Sequence, residues 1–110
     1  ASDWAAMPTN PLQISSWLNH TCVRSSTEAG CFGISSYVPQ LTNPSWVSAG
    51  YYLSCGIDDN GLSCWNSQGA DNLLSTPPLE NPTLVDAGEV VSCAIDGSAV
   101  KCWSKNSTDI

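Results

Sequence analysis

The stretch SCAIDGSAVKCW, residues 92–103, decides the fold of this chain. Two short runs of strand-forming residues flank the turn signal Asp96-Gly97, which predicts a β-hairpin. If residues 97 and 98 form a two-residue loop, Cys93 stands directly opposite Cys102. Residues opposed in this way have Cβ atoms within disulfide range. We therefore predict a hairpin that is closed by its own disulfide.

The same unit occurs three times along the chain, with periods of 33 and 38 residues. Each copy has two cysteines nine residues apart, followed at once by an aromatic residue. The pairs are Cys22 and Cys31, Cys55 and Cys64, and Cys93 and Cys102, and the aromatic residues are Phe32, Trp65 and Trp103. VSAG (47–50) precedes Cys55 as VDAG (85–88) precedes Cys93, and ISS (14–16) is a degenerate copy before Cys22. Such periods indicate stacked or radially arranged units that cannot bury a core alone.

The cysteine pairs predict both a disulfide pattern and a compartment. Six cysteines allow 15 connectivities, but hairpins centred on 26–27 and 59–60 place the other two pairs opposite each other as well. We predict Cys22–Cys31, Cys55–Cys64 and Cys93–Cys102. Zinc binding is the alternative, but the spacing is not that of a Cys-x₂-Cys knuckle. Paired cysteines, with glycosylation sequons at Asn19 and Asn106, predict an extracellular, secreted protein.

The charge balance excludes whole classes of partner. Ten acidic residues against three basic ones give a net charge of −7. Nucleic-acid binding needs a basic patch that displaces phosphate counterions, so that class is excluded. Anionic membrane surfaces are disfavoured for the same reason, and no apolar run approaches the ~20 residues that span a bilayer. The acidity is typical of a secreted surface, with cations or basic partners as the alternative.

Further strand signals surround each hairpin. A short strand around Val47 or Val85 precedes it, and a fourth candidate strand follows it, at 72–75 in the second copy. Four short antiparallel strands per roughly 35 residues are typical of a propeller blade. We predict an all-β chain of three four-stranded blades, with repeat 1 at 14–43, repeat 2 at 44–81 and repeat 3 at 82–110.

Segments 47–65 and 85–103 resemble the repeat of the regulator-of-chromosome-condensation family, in the cysteine-bearing form of extracellular members such as plant receptor ectodomains with crinkly-type repeats. The resemblance covers nearly the whole chain and is weakest in the first copy, where Trp17 stands at the place of Gly50 and Gly88. It implies a β-propeller, usually of about seven blades in that family. The nuclear member's chromatin binding and nucleotide exchange do not carry over, because no basic surface or exchange-factor motif is present.

Three blades do not close a ring, since propellers need about four or more. Residues 1–13 have the phase of an outer strand, and the end of repeat 3 leaves little for one. We expect 1–13 to complete a blade of a neighbouring copy, with Trp4 and Met7 in the contact. Such a head-to-tail homo-oligomer is a ring, six-bladed for two copies, or an open filament. A piece of a longer propeller is the remaining alternative.

The stretch before each first cysteine differs among the copies, whereas the scaffold repeats. Loops on a rigid frame carry function, and aromatic side chains there stack on sugars or anchor protein interfaces. The candidate binding residues are Trp17, Tyr51, Tyr52 and Glu89. Packing of the aromatic side chains between blades is the alternative, and it is also what we expect of Phe32, Trp65 and Trp103.

No pattern indicates catalysis or a cofactor. The segment 58–61, DDNG, lacks the alternating ligands of a calcium loop, and His20 has no nucleophile and acid in a triad-like motif. We expect no catalytic residue, metal or cofactor. The predicted function is a secreted non-enzymatic module that self-associates head-to-tail and recognises a glycan or protein through variable loops between blades. The alternative is a structural subunit of an extracellular filament, coat or matrix.

Overall fold

The structure, a computed structural model, describes residues 8–18, 20–33, 38–51, 53–66, 77–88 and 91–104. Every regular element in these ranges is a β-strand. The strands are β1 (Gln13–Trp17), β2 (His20–Arg24), β3 (Ala29–Gly33), β4 (Trp46–Ala49), β5 (Leu53–Asp58), β6 (Gly61–Asn66), β7 (Pro82–Ala87), β8 (Val91–Asp96) and β9 (Ala99–Ser104). They form three antiparallel three-stranded sheets, ordered β1-β2-β3, β4-β5-β6 and β7-β8-β9. We call these sheets blades 1, 2 and 3.

The registers of the three hairpins confirm the predicted disulfides. Opposed cysteines pair on β2 and β3, on β5 and β6, and on β8 and β9. All three bonds are formed, Cys22–Cys31, Cys55–Cys64 and Cys93–Cys102, with Cα atoms 4.0 Å apart in each. Each bond therefore closes one hairpin and joins no two blades.

The turns explain why the chain reverses where it does. Gly61 and Gly97 adopt positive φ angles of 109° and 64° in the second and third hairpins, a region that is open to glycine at little steric cost. In the first hairpin the Ser25 hydroxyl accepts hydrogen bonds from the backbone N–H groups of Thr27 and Glu28. Residues 25–28 thus form their turn without a positive φ angle, and the Ser25 hydrogen bonds stabilise it.

The core lies between the blades, as expected for units that cannot bury a core alone. One cluster joins blades 1 and 2 and the other joins blades 2 and 3. The all-β, blade-like fold with one disulfide per hairpin is confirmed. The fourth strand predicted at 72–75 lies outside the described residues. Of the segment 1–13, predicted to complete a neighbouring blade, residues 1–7 also lie outside them, whereas residues 8–12 form no strand and Gln13 begins β1. The repeat boundaries stay predictions.

Candidate functional site

The repeated structural feature is the contact between successive blades. We call the surface of a blade that meets the next blade its forward face, and the opposite surface its backward face. Across the first contact the Cys22–Cys31 disulfide packs with Trp65, and across the second the Cys55–Cys64 disulfide packs with Trp103. Both tryptophans are 1% exposed. Their predicted packing between blades is confirmed.

We call the first strand of each blade, β1, β4 or β7, its inner strand. Hydrogen bonds between the inner strands of successive blades repeat in the same way. The Ala49 N–H donates to the Ser15 hydroxyl at 3.0 Å, and the Ala87 N–H donates to the Ser48 hydroxyl at 2.8 Å. Alternate N–H groups of an edge strand point away from its only neighbour, so the inner strands β4 and β7 need an acceptor from the preceding blade. A serine on the forward face supplies it.

Longer side chains add a second link between these strands. The Gln13 side-chain amide bonds both backbone groups of Val47, donating to its carbonyl at 2.8 Å and accepting from its N–H at 3.0 Å. Arg24 donates to the same amide oxygen at 2.8 Å and holds it in place. At the second contact the Trp46 indole N–H donates to the Val85 carbonyl at 2.9 Å. Side-chain hydrogen bonds thus link successive blades, whereas backbone hydrogen bonds between strands hold each blade together.

A histidine lies in the contact between blades 1 and 2. His20 is 4% exposed, and its Nε2 is 2.9 Å from the Ser54 hydroxyl. Burial lowers the pKa of His20 below its ordinary value, while a hydrogen bond with the Leu53 backbone opposes that shift. The neutral imidazole is therefore the form that fits this contact.

The backward face of blade 1 is exposed at the positions that are buried in the other blades. Ile14 is 68% exposed, whereas its counterparts Val47 and Val85 are each 1% exposed. Phe32 is half-buried at the position of the buried tryptophans. Ser16 is exposed at the place that Ala49 occupies in blade 2. This surface has the residues of a backward face and no blade against it among the described residues.

The forward face of blade 3 is likewise more exposed than the forward faces of blades 1 and 2. Cys93 and Cys102 are half-buried, whereas the cysteines of the other two disulfides are 0–5% exposed. Ile95 is 38% exposed where Ile57 is 3% exposed. Asp86 is exposed at the position of the buried Ser48. The described part of the chain therefore leaves one open face of each kind.

A groove of about 470 Å³ runs along the three inner strands. It is lined by three residues of each strand, 13–15, 46–48 and 84–86. Most of the polar side chains there are already engaged, since Gln13, Ser15 and Ser48 make the hydrogen bonds between blades. The groove is part of the inter-blade arrangement and brings no separate set of reactive groups together.

Two of the predicted binding residues lie where an inner strand ends. Trp17 closes β1 and is 38% exposed, and the adjacent Leu18 is 78% exposed. Tyr51 follows β4, is half-buried, and donates its N–H to the Gly88 carbonyl at 3.3 Å. We call the loops that follow the inner strands the rim. The remaining predicted residues lie outside the described ranges: Tyr52 and Glu89 of the binding set, Trp4 and Met7 of the oligomer contact, and the sequon residues Asn19 and Asn106.

Two carboxylates beside the hairpin turns, at the ends of the blades away from the rim, have structural roles. Asp58 accepts hydrogen bonds from the N–H groups of Thr42 and Asn60, at 2.8 and 2.9 Å. Asp96 accepts from the N–H of Asn81 at 2.6 Å and lies 3.1 Å from the Lys101 ammonium. The Asn81 N–H, above all, lowers the pKa of Asp96, and Lys101 acts in the same direction. These aspartates tie each turn to the segment that enters its blade.

No three His, Cys, Asp or Glu side chains of the described residues form a group that could hold a metal ion. No helix in the described part of the chain is long and apolar enough to cross a bilayer. What the described residues do build is a repeated contact between blades, with one exposed face at each end of the series.

Sequence reasoning missed the residues that make this contact. Ser15, Ser48 and Asp86 stand at one repeat position, opposite the first cysteine of each copy. An Asn-Pro pair also recurs four residues before Ile14, Val47 and Val85. Aligning the three copies position by position reveals both signals, because a residue that can accept a hydrogen bond recurs between two residues at fixed repeat positions, Ile14 or Val on one side and Ser16 or Ala on the other.

Comparison with known proteins gives structural neighbours only. No family model and no curated protein matches the chain. The CRINKLY WD40 ectodomain of the Arabidopsis thaliana receptor kinase ACR4 matches with a TM-score of 0.68 and 27% identity, over 86% of this chain and 36% of that one. The ectodomain of the Physcomitrella patens receptor kinase CR4 matches with a TM-score of 0.51 and 21% identity, over 83% of this chain and 29% of that one.

The chain thus spans about a third of the length of each of these ectodomains. The resemblance to the regulator-of-chromosome-condensation family stays a prediction. The three disulfides and the ectodomain neighbours agree with an extracellular location. In fold, the chain is similar to β-propeller ectodomains of plant receptor kinases.

Proposed function

We propose that the chain is a secreted, non-enzymatic β-propeller module that self-associates head-to-tail and recognises a glycan or an extracellular protein through the rim loops. The observation that carries the first part is the pair of open faces. Ile14 is 68% exposed at a position that is 1% exposed in both other blades. A forward face at one end and a backward face at the other are the two halves of a contact that the chain already makes twice.

Burial of apolar surface drives the association. Ile14, Phe32, Ile95 and the Cys93–Cys102 disulfide are all more exposed than their counterparts in the internal contacts. Removing apolar surface from water is worth roughly 25 cal/mol per Å², and contiguous exposed apolar patches mark interaction sites. A head-to-tail contact covers both faces with one interface per copy.

The rim supports the recognition role. Trp17 and Leu18 are consecutive in sequence at the end of β1, and both side chains are exposed. Aromatic side chains supply flat apolar surface for sugar faces and anchor protein interfaces at low entropic cost. Head-to-tail assembly would bring the rims of several blades to one side of the particle, because every blade has the same orientation.

The mass of the native particle tests the proposal. Light scattering of the purified chain over a range of concentrations is expected to give a discrete multiple of the 11.6 kDa protomer. A protomer mass at every concentration would overturn self-association. Recognition is tested separately on a glycan array, with Trp17→Ala as the variant and Leu12→Ala as the control, since Leu12 is 64% exposed and precedes β1. A bound signal that the Trp17 variant retains would overturn the role of the rim.

A structural subunit is the second candidate, and the same two faces favour it. A contact between unlike faces gives a closed ring only if the rotation per copy divides a full turn, and otherwise gives an open filament. Electron microscopy of the assembled particle separates the two. Rings would support the recognition module, and filaments of indefinite length would support a matrix or coat component.

A further inference from the structure

We propose that the Asp86 carboxylate of one copy accepts hydrogen bonds from Ser16 of a second copy, and that this pair fixes the register of the head-to-tail contact. The inference rests on the proposed self-association and assigns the residues that make it specific. The partner is therefore a second copy of this chain, and the site is the forward face of blade 3 against the backward face of blade 1.

The internal contacts supply the positional rule. Ser15 and Ser48 lie opposite the first cysteine of their own blades, and each accepts an N–H from the next blade. Asp86 lies opposite Cys93, at the same position of blade 3. The rule makes Asp86 the acceptor that blade 3 presents to whatever blade follows.

The donor side obeys the same rule. Ala49 lies opposite Ser54 and Ala87 lies opposite Ser92, and their N–H groups are the donors of the internal contacts. Ser16 lies opposite Thr21, at the same position of blade 1. Its N–H therefore points away from β2, toward the blade that would precede blade 1.

The two open positions differ from the internal ones in a complementary way. Internally, a serine acceptor meets an alanine, which offers only its N–H. At the open faces the acceptor is a carboxylate, with more lone pairs to fill, and the donor is a serine, with a hydroxyl in addition to its N–H. The change from serine to Asp86 on one face is matched by the change from alanine to Ser16 on the other.

Ser16 and Thr21 together have one more hydroxyl donor than their mutual hydrogen bond uses, and this donor is available to the Asp86 carboxylate. Ser16 Oγ and Thr21 Oγ1 are 2.8 Å apart, and either can be the donor. When Thr21 is the donor in that bond, the Ser16 O–H stays available for a second acceptor, together with the Ser16 N–H. A desolvated carboxylate is costly unless its oxygens are hydrogen-bonded, and charge-assisted bonds are the stronger ones. Ser16 meets both requirements at a single position.

The apolar surroundings continue the internal contacts. In the first internal contact Val47 packs with the Cys22–Cys31 disulfide. Register puts Ile14 at the place of Val47, and Cys93–Cys102 at the place of that disulfide. Docking Asp86 on Ser16 therefore sets Ile14 against the half-buried disulfide, so one alignment satisfies the polar and the apolar parts together.

The test is a double-mutant cycle on the full chain, read as the dissociation constant of the assembly by sedimentation or light scattering. Asp86→Ala is expected to weaken assembly by about tenfold or more, as for loss of a hydrogen bond to a charged group. Ser16→Ala is expected to weaken it when Asp86 is present. In the Asp86→Ser background, Ser16→Ala is expected to have little effect, because the double variant has the Ser48–Ala87 pair. Glu28→Ala removes an exposed carboxylate from the first hairpin turn and is the charge-matched control.

The outcomes separate the two proposals. A wild-type chain that stays a protomer throughout overturns both. Wild-type assembly that Asp86→Ala and Ser16→Ala leave unchanged overturns the Asp86–Ser16 pair alone, and self-association stands through another surface. Equal unfolding midpoints of the variants under conditions where all are protomers show that a weaker assembly does not come from a damaged fold.

Discussion

The two internal contacts share one backbone arrangement and differ in the side chains that fill it. Equivalent positions on the two forward faces carry Gln13, His20 and Arg24 in blade 1, and Trp46, Leu53 and Ile57 in blade 2. The first contact is therefore held largely by hydrogen bonds around a buried imidazole, and the second largely by apolar burial. The disulfide–tryptophan packing and the serine-to-N–H bond are common to both.

The comparison shows which features of a contact between blades are shared by both contacts and which differ. The invariant features are the ones that any blade needs to dock on the next. The open faces carry variants of them, with Phe32 at the position of the tryptophans and Asp86 at the position of the serines. The variable features tune each contact, so the two contacts should respond differently to volume changes and to pH.

Truncating the buried tryptophans should have the largest effect. Trp65→Ala and Trp103→Ala each remove a side chain that is 1% exposed, and such changes lower the free energy of unfolding by about 3–5 kcal/mol. Phe32→Ala, at the half-buried counterpart, should cost clearly less. Urea unfolding of the three variants measures this. A loss for Phe32→Ala as large as for the tryptophans would mean that the protomer already covers its backward face.

Removing single disulfides should have the next largest effect. All three bonds close loops of the same sequence separation, 9 residues, so the loss of chain constraint is similar, about 2–4 kcal/mol. Replacing Cys55 and Cys64 by alanine also empties packed volume beside Trp103, whereas Cys93 and Cys102 are half-buried. The Cys55–Cys64 variant should therefore unfold at lower urea.

Partial reduction followed by thiol labelling and mass spectrometry gives an independent reading of the same bonds. Cys93 and Cys102 should be labelled first, because a half-buried disulfide is accessible to reductant. Protection of this pair at concentrations where the chain assembles would mark the forward face of blade 3 as covered. Labelling of Cys22 or Cys55 ahead of it would contradict the burial order.

The hairpins could be derived from sequence because their determinants are local. The Asp96-Gly97 turn and the spacing of Cys93 and Cys102 fix the register of one hairpin, and the repeat transfers it to the others. Contacts between blades depend instead on which side of an inner strand a residue faces. The role of Ser15 or Ser48 follows only once strand register and blade order are both known.

The aromatic residues illustrate the same limit. Trp65 and Trp103 could be assigned to packing because an aromatic residue follows the second cysteine of every copy. Trp17 and Tyr51 stand in segments that differ among copies, so sequence gives no rule for their exposure, and the structure finds one exposed and one half-buried. Repetition is what makes a position predictable in this chain.

Adding a methyl group at Gly50 should have a moderate effect on the second contact. A Cβ there would lie 2.8 Å from the Ala87 Cβ and 3.0 Å from the Ala87 backbone, so Gly50→Ala should push blades 2 and 3 apart at a cost of about 1–3 kcal/mol. Gly97→Ala is the control, because nothing lies within 4 Å and only the positive φ is strained, which costs about 1 kcal/mol. A loss of stability for Gly50→Ala that is clearly smaller than the loss for Gly97→Ala would contradict the close approach at Gly50.

The smallest expected effect is a pH dependence of the first contact, which comes from His20. Burial lowers the pKa of His20 in the folded chain, so below about pH 6.5, the ordinary value for histidine, the unfolded chain binds a proton that the folded chain does not. The free energy of unfolding should therefore keep its full value above that pH. It should fall as the pH drops from there toward the pKa that His20 has in the folded chain. Urea midpoints between about pH 7.5 and about pH 5.5 measure the slope.

His20→Leu is the matched variant for this slope, because Leu53 occupies the equivalent position of blade 2. It should abolish the loss of stability between these pH values, whatever it does to stability at neutral pH. If the slope persists in His20→Leu, the titrating group is another one. At the contact between blades 2 and 3 the position of His20 is taken by Leu53, which does not titrate. A His20→Leu chain whose urea midpoint does not change with pH would therefore show that the loss of stability in acid comes from the contact between blades 1 and 2.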